Sequence, residues 1–175
     1  ARNATLELLF RYLSDKPMSK LPAMLSLAQQ LDRGHNYTEQ IKGIKELLSD
    51  PQGVWYRFTK NLLEEVNPRC LRSIVECLLF NATLDGSATR KEVEEKYNCN
   101  VPWAILMDPT SACNLNCTGC WAAQYGHKNS LSFDTLDSII RQGKELGIHF
   151  YLYSGGEPLV RKDDLIRLAE KHDDC

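Results

Sequence analysis

The sequence has no apolar run long enough to span a membrane, no secretory signal, no basic stripe suited to a nucleic-acid backbone, no internal repeat and no low-complexity tract. These absences argue against a helical membrane protein and leave neither nucleic acid nor a membrane surface as an expected partner. Charge of one sign is also missing: 21 Lys and Arg stand against 23 Asp and Glu, a formal net charge of −2. The apolar share, 43%, is that of an ordinary soluble globular protein. At 175 residues the chain suffices for one domain of good size, or a small domain and part of another. It begins at Ala1 rather than a methionine, which leaves a removed leader open.

Cysteine is not scarce, and its placement carries the chemistry. Three of the seven cysteines fall in Asp-Pro-Thr-Ser-Ala-Cys-Asn-Leu-Asn-Cys-Thr-Gly-Cys-Trp, where Cys113, Cys117 and Cys120 have the spacing C-x3-C-x2-C. Three thiolates are one too few to close a tetrahedral zinc site or to ligate every iron of a four-iron cluster, so the spacing implies a distant fourth ligand or an open metal. The other cysteines are scattered, which favours a reducing compartment over a disulfide framework. Cys70 and Cys77 lie about two helical turns apart and read as small buried hydrophobes facing the same way. Cys99 reads as structural.

A second motif follows a helical pattern and another apolar strand: Tyr153-Ser154-Gly155-Gly156-Glu157-Pro158. Glycines and a carboxylate then stand at the carboxyl end of a strand, as the cysteines follow the preceding one. In a βα-barrel both lie on the face that holds ligands.

With the two motifs in this order and separation, the sequence resembles the radical S-adenosylmethionine (radical SAM) superfamily. The resemblance implies that Cys113, Cys117 and Cys120 hold a 4Fe-4S cluster whose fourth iron is chelated by the methionine moiety of S-adenosylmethionine (SAM). Gly155, Gly156 and Glu157 resemble the element that receives the methionine ammonium, since glycines admit backbone carbonyls close to a cation and a carboxylate complements its charge. The longer run Gly-Gly-Glu-Pro-Leu-Val-Arg-Lys-Asp-Asp-Leu is similar to the branch of molybdenum-cofactor cyclases, quinone-cofactor maturases and peptide-modifying enzymes. The chain departs from the family at one point: an aromatic residue often precedes the third cysteine, and here Gly119 stands there with Trp121 just after. Either Trp121 supplies an apolar wall for the adenine, or the base is held elsewhere.

The fold class expected is α/β, the start of a partial (βα)6 TIM-like barrel preceded by an all-helical domain, with residues 1–100 helical and 101–175 the first part of the barrel. Helices are expected over Thr5 to Ser14 (Leu6, Leu9, Phe10, Leu13), from Pro22 to Leu31 before Arg33-Gly34, from a Thr38 cap through Leu48, and over Val54 to Val66, with Trp55, Phe58 and Leu62 on one face. A helix from Pro68 to Phe80, apolar on most sides, is expected to be the most buried, and a last one runs from a Ser87 cap to Tyr97. Trp103 to Met107 reads as a parallel strand covered on both faces. Ser132 is expected to cap a helix that Gly147 stops, and Ile148 to Tyr153 is the second strand; a helix follows from Asp163 or Asp164. His149, Tyr151 and Tyr153 share one strand face, either toward the barrel interior or under helices. The resemblance implies that later strands complete the barrel, so the sequence reads as the amino-terminal part of a longer enzyme.

The activity implied is reductive cleavage of SAM to a 5′-deoxyadenosyl radical that abstracts hydrogen from a small-molecule or peptide substrate, with an electron donor such as flavodoxin or ferredoxin, in the cytoplasm. Asn114, Asn116 and Thr118 could tune the cluster by hydrogen bonding. Other readings compete. A structural zinc knuckle would use His127 or Cys99 as fourth ligand, but leaves the Gly-Gly-Glu-Pro run unexplained. An iron-sulfur electron carrier or sensor would bind a cluster without radical chemistry. The helical region alone could be an interaction module.

Overall fold

In the computed structural model, residues 11–12, 17–32, 37–122, 126 and 128–175 are described. The helix expected over residues 5–14, the Arg33-Gly34 stop and His127 therefore lie outside the described residues, apart from Arg11 and Tyr12. The chain forms two compact units, Ala1–Ser73 and Ile74–Cys175. The pattern change from helix to strand near residue 100 is thus not where the compact units divide; residues 74–97 are helical yet belong to the unit that holds the strands, touching it at Gly147 and Asp174.

The first unit is helical. Helices α1 (Pro17–Leu31), α2 (Thr38–Leu47) and α3 (Val54–Glu65) pack with α1 against both of the others. Helix α1 starts one turn earlier than the Pro22 expected from sequence and carries Pro22 inside it. Thr38 does not cap α2: it is the first helical residue, and its hydroxyl donates instead to Asp32 Oδ2 at 2.8 Å. Trp55 and Phe58 share a face of α3 and meet edge to face with centroids 6.2 Å apart, but both are exposed.

Helix α4 (Pro68–Ile74) runs into a π-helical segment, Val75–Asp85, and that continues into α5 (Gly86–Tyr97). Two expected helices are therefore one continuous helical path whose winding loosens in the middle. The wider turn of a π-helix shifts the phase of every following side chain. Leu78 consequently faces solvent, while Asn81 and Ala82 turn inward; the segment is not the most buried one. Cys70 is exposed and Cys77 half-buried, contrary to the expectation of two buried thiols. Ser87 is not a cap, because Gly86 already belongs to α5. Gly86 permits a close approach of backbone segments, since a Cβ there would stand 2.5 Å from the carbonyl oxygen of Gly147 and 2.7 Å from that of Asn81. Arg90 ties the same place, donating from Nη1 to Gly147 O at 2.7 Å and Ala82 O at 3.0 Å.

Strands β1 (Ile105–Met107) and β2 (Tyr151–Tyr153) pair in parallel, with Leu106 opposite Leu152. Helix α6 (Phe133–Glu145) connects them. Ser132 caps it, its Oγ accepting from Thr135 N at 3.0 Å, and the chain turns at Gly147 with φ 81°, both as the sequence indicates. After β2 comes a 3₁₀ turn, Pro158–Arg161, and then α7 (Lys162–Lys171). Met107, Leu136, Ile140 and Leu168 form the buried centre, with Phe133, Tyr151, Tyr153 and Leu165 packed around it.

The two tyrosines of β2 thus lie under the helices. Tyr151 Oη is 2.9 Å from Ile140 O and 2.8 Å from Ile148 O, and burial, together with the nearby Cys175 and Asp174, raises its phenol well above the usual value. The opposite sheet face carries Leu106 and Leu152, which are 65% and 46% exposed. β1 is therefore covered on one face among the described residues, not on both. No helix among the described residues is long and apolar enough to cross a membrane.

Candidate cofactor site

β1 delivers its chain into the cysteine loop through a rigid base. Pro109 and Thr110 are fully buried. Thr110 pairs with Ser130 across an antiparallel bridge, and their hydroxyls lie 2.7 Å apart. Next to it, Ser111 N donates to Asn129 O at 2.8 Å and Asn129 N to Ser111 Oγ at 3.0 Å. Leu131 N donates to Pro109 O at 3.0 Å. Residues 109–111 and 129–131, on either side of the cysteines, are consequently hydrogen-bonded to each other.

The three thiols sit within that loop. Cys113 is half-buried and its Sγ accepts from Leu115 N at 3.4 Å; Cys117 and Cys120 are exposed and joined by a turn in which Cys120 N donates to Cys117 O at 3.3 Å. Gly119 lies in this turn with φ 73°, a left-handed conformation that disfavours the bulky aromatic residue other members of the resembled family place there. Among the described residues, no three His, Cys, Asp or Glu side chains are gathered into a metal-holding group. The donor set nevertheless fits a cluster in kind: three free thiols on one short loop, one already accepting a backbone N–H as a coordinated thiolate does. Cys99, the alternative zinc ligand, is exposed at the end of α5.

β2 brings the glycine run onto this base. Ser154 N donates to Met107 O, Gly156 N to Thr110 O and Glu157 N to Ala112 O, at 3.0, 3.0 and 2.9 Å. The two motifs are thus stitched together backbone to backbone up to the residue before Cys113. Only glycines permit it. Gly155 has φ 101°, and a Cβ on it would stand 2.8 Å from Asp108 Cβ and from Thr110 O. On Gly156 a Cβ would overlap Ala112 O and stand 2.7 Å from Ser111 O. Glu157 turns its carboxylate the other way: Oε1 accepts from Leu159 N at 2.9 Å and caps the 3₁₀ turn.

A cavity of about 500 Å³ opens here, bounded by Asp108, Ser111, Trp121, Lys128, Gly155 and Gly156 among others, within the size range of small-molecule sites. Gly155, Gly156 and Trp121 stand out in the sequence; Asp108 and Lys128 do not. Their signal is position alone, one residue after β1 and three before α6's Leu131-Ser132 entry.

The sequence profile described as Radical SAM superfamily matches residues 107–174, the stretch that holds the end of β1, the cysteine loop, β2 and α7. Over that stretch the chain is similar to the radical SAM superfamily. Among its relatives, a protein named GTP 3′,8-cyclase from Desulforamulus reducens is 32% identical over 81 residues, 44% of this chain and 24% of that protein. Another of that name from Geobacter sulfurreducens is 37% identical over 62 residues, 33% of this chain and 19% of its own. An uncharacterized protein of Archaeoglobus fulgidus is 32% identical over 69 residues, 38% and 17% of the two chains. The matched part spans less than a quarter of each of these relatives. No solved structure matches significantly. The radical SAM stretch is therefore similar to the cyclase branch, as the Gly-Gly-Glu-Pro run suggests.

Proposed function

We propose that this protein is a radical SAM enzyme in which Cys113, Cys117 and Cys120 hold a 4Fe-4S cluster and the Gly155-Gly156-Glu157 segment receives SAM. The observation that carries the reading is the direct hydrogen bonding of Gly156 and Glu157 to Thr110 and Ala112, at 3.0 and 2.9 Å, which joins the glycine run to the residues leading into Cys113, beside a cavity that Gly155, Gly156, Ser111 and Trp121 line. In this reading β1–α6 and β2–α7 are the first two units of a partial (βα)6 barrel behind a helical domain.

When bound, the cluster and SAM supply a one-electron reductive cleavage that yields methionine and a hydrogen-abstracting 5′-deoxyadenosyl radical. The chain's part is placement and the exclusion of competing reactions. The closed base of the loop holds Cys113 beside the glycine wall. Leu115 N–H donates to Cys113 Sγ at 3.4 Å and fixes where that sulfur sits in the loop. Asp108 and Lys128 put one charge of each sign on the cavity wall, which matches an ammonium and a carboxylate on one ligand. Glu157 also caps the 3₁₀ turn through Oε1, which holds the glycine run in place.

The substrate is a small molecule or peptide; the similarity to proteins named GTP 3′,8-cyclase favours the small molecule. An external one-electron donor of the flavodoxin or ferredoxin kind and a cytoplasmic setting go with this chemistry. The test is anaerobic reconstitution with iron and sulfide, followed by dithionite and SAM, measuring 5′-deoxyadenosine. Slow release without added substrate is expected. A reducible cluster that releases none moves the protein to the electron-carrier or sensor class.

A further inference from the structure

Arg161 follows the glycine run by four residues, and its side chain returns to the cysteine loop. Its side chain is 17% exposed. Nη1 donates to the carbonyl of Pro109 at 2.9 Å and also to the carbonyl of Leu131. These residues flank the loop immediately outside the Thr110–Ser130 bridge. The carbonyl of Pro109 receives Leu131 N as well, so both of its lone pairs are engaged.

The other edge of the guanidinium is fixed by Asp164. Oδ2 of that carboxylate accepts from Nη2 at 2.6 Å and from Nε at 3.2 Å. Asp164 Oδ1 faces Arg167 Nη1 at 3.4 Å, and the Arg167 guanidinium lies 4.1 Å from the Phe133 ring centroid. Asp164 belongs to the first turn of α7, where the helix dipole favours an anion. A planar fork held on one edge by a carboxylate, with its free nitrogen aimed at two carbonyls, has a geometry that lysine cannot copy.

We propose that Arg161 is a positioning residue that clamps the two ends of the cysteine loop together, coupling the glycine-run segment to the placement of Cys113, Cys117 and Cys120. The clamp is a property of the protein without its cluster; its use in holding a cluster rests on the radical SAM reading. Asp164 sets the fork, and Arg161 delivers it to the loop. The loop itself would otherwise be closed only by neutral hydrogen bonds, which are about half as strong as charge-assisted ones.

The experiment separates clamp from cluster. Hydrogen exchange of the full chain is measured without iron for wild type, Arg161→Gln, Arg161→Lys, Asp164→Asn and Arg167→Gln. The amides of Ser111, Asn129 and Leu131 are expected to exchange about tenfold faster in Arg161→Gln, corresponding to about 1.4 kcal/mol, with amides in the centre of α6 unchanged. Arg161→Lys should recover little of the protection, Asp164→Asn should lie between, and Arg167→Gln should match wild type. Unchanged loop exchange in both Arg161 variants overturns the proposal. Uniform acceleration across the chain overturns it as well, since Arg161 would then serve global stability alone.

A second arm follows loss of iron to a chelator after reconstitution, where Arg161→Gln should release it several-fold faster than wild type at equal initial loading. Equal release rates with faster loop exchange would leave a clamp without a role in holding the cluster and overturn that part. A wild type that takes up no cluster would defeat the radical SAM reading, while the exchange result would still decide the clamp.

Discussion

The amide of Glu157 donates to the carbonyl of Ala112 at 2.9 Å, so the third residue of the glycine run is bonded to the residue before the first cysteine. A mutation in one motif therefore reaches the other through the backbone. That coupling changes what a glycine substitution reports.

Gly156→Val is expected to lose cluster loading as well as SAM cleavage. Its Cβ would overlap Ala112 O, a backbone atom without freedom to rotate away, and would push the chain entering Cys113. Overpacking of this kind costs about 1–3 kcal/mol. Iron content and the urea midpoint should fall together; a variant with wild-type iron and stability that merely fails to cleave SAM would contradict this geometry. Gly155→Ala should be similarly unstable, because φ 101° is unfavourable for any residue with a Cβ.

The cysteines divide into two classes that single substitutions should resolve. Cys113→Ala, Cys117→Ala and Cys120→Ala should each abolish the 4Fe-4S absorption after reconstitution. Cys70→Ala and Cys99→Ala, at exposed positions, should leave iron unchanged and alter stability by no more than about 0.5 kcal/mol. A full cluster in any of the first three variants would remove that residue from the ligand set.

Much of the site was legible because its chemistry demands particular residues at fixed spacing. Three thiols on one loop and a glycine pair after the next strand can be read without coordinates, as can the Ser132 cap and the Gly147 stop. The helical path from Pro68 to Tyr97 was less legible: apolar residues on most sides give no phase, and the π winding of Val75–Asp85 turned Leu78 outward and Asn81 inward. The facing of β2 was ambiguous too, since Tyr151 and Tyr153 suit a packed face or a polar interior equally. Tertiary contacts decided it, through carbonyls of Ile140 and Ile148 placed at the Tyr151 hydroxyl. Arg161 lay in plain view within the run, but the loop carbonyls it reaches are 30 and 52 residues away, a separation that no local pattern encodes.

Tyr151 and Gly143 should behave as a coupled pair. A Cβ on Gly143 would collide with the Tyr151 hydroxyl and approach its Cζ at 3.2 Å. Gly143→Ala alone should be destabilising, and Tyr151→Phe alone should cost about 1–2 kcal/mol by leaving carbonyls at Ile140 and Ile148 without this donor. In the double variant the clash with the oxygen is gone, so the two losses should sum to more than the double variant shows. Urea denaturation of all four proteins measures the coupling, and strict additivity would mean that helix α6 shifts to absorb the methyl group.

The last prediction concerns acid. Asp137 Oδ1 faces Lys171 Nζ at 2.8 Å and His172 Nε2 at 2.9 Å. The hydrogen bond with Lys171, then that with His172, holds the Asp137 carboxyl below its ordinary value despite some desolvation. A folded-state pKa below the unfolded one contributes stability that is present above the unfolded value, about 3.9, and disappears as pH falls through the folded value. Stability should accordingly decline on acidification below about pH 5, and Asp137→Asn should make that decline shallower by removing one titrating group. Some slope should persist. Burial would raise the Asp174 carboxyl, but Lys144 at 2.6 Å outweighs it and holds that group low as well. Urea midpoints of wild type and Asp137→Asn across this pH range provide the comparison. The variant should be the less stable at pH 7, with the difference narrowing toward pH 3; a constant difference would show that Asp137 titrates alike in both states and that its contacts with Lys171 and His172 do not persist in solution.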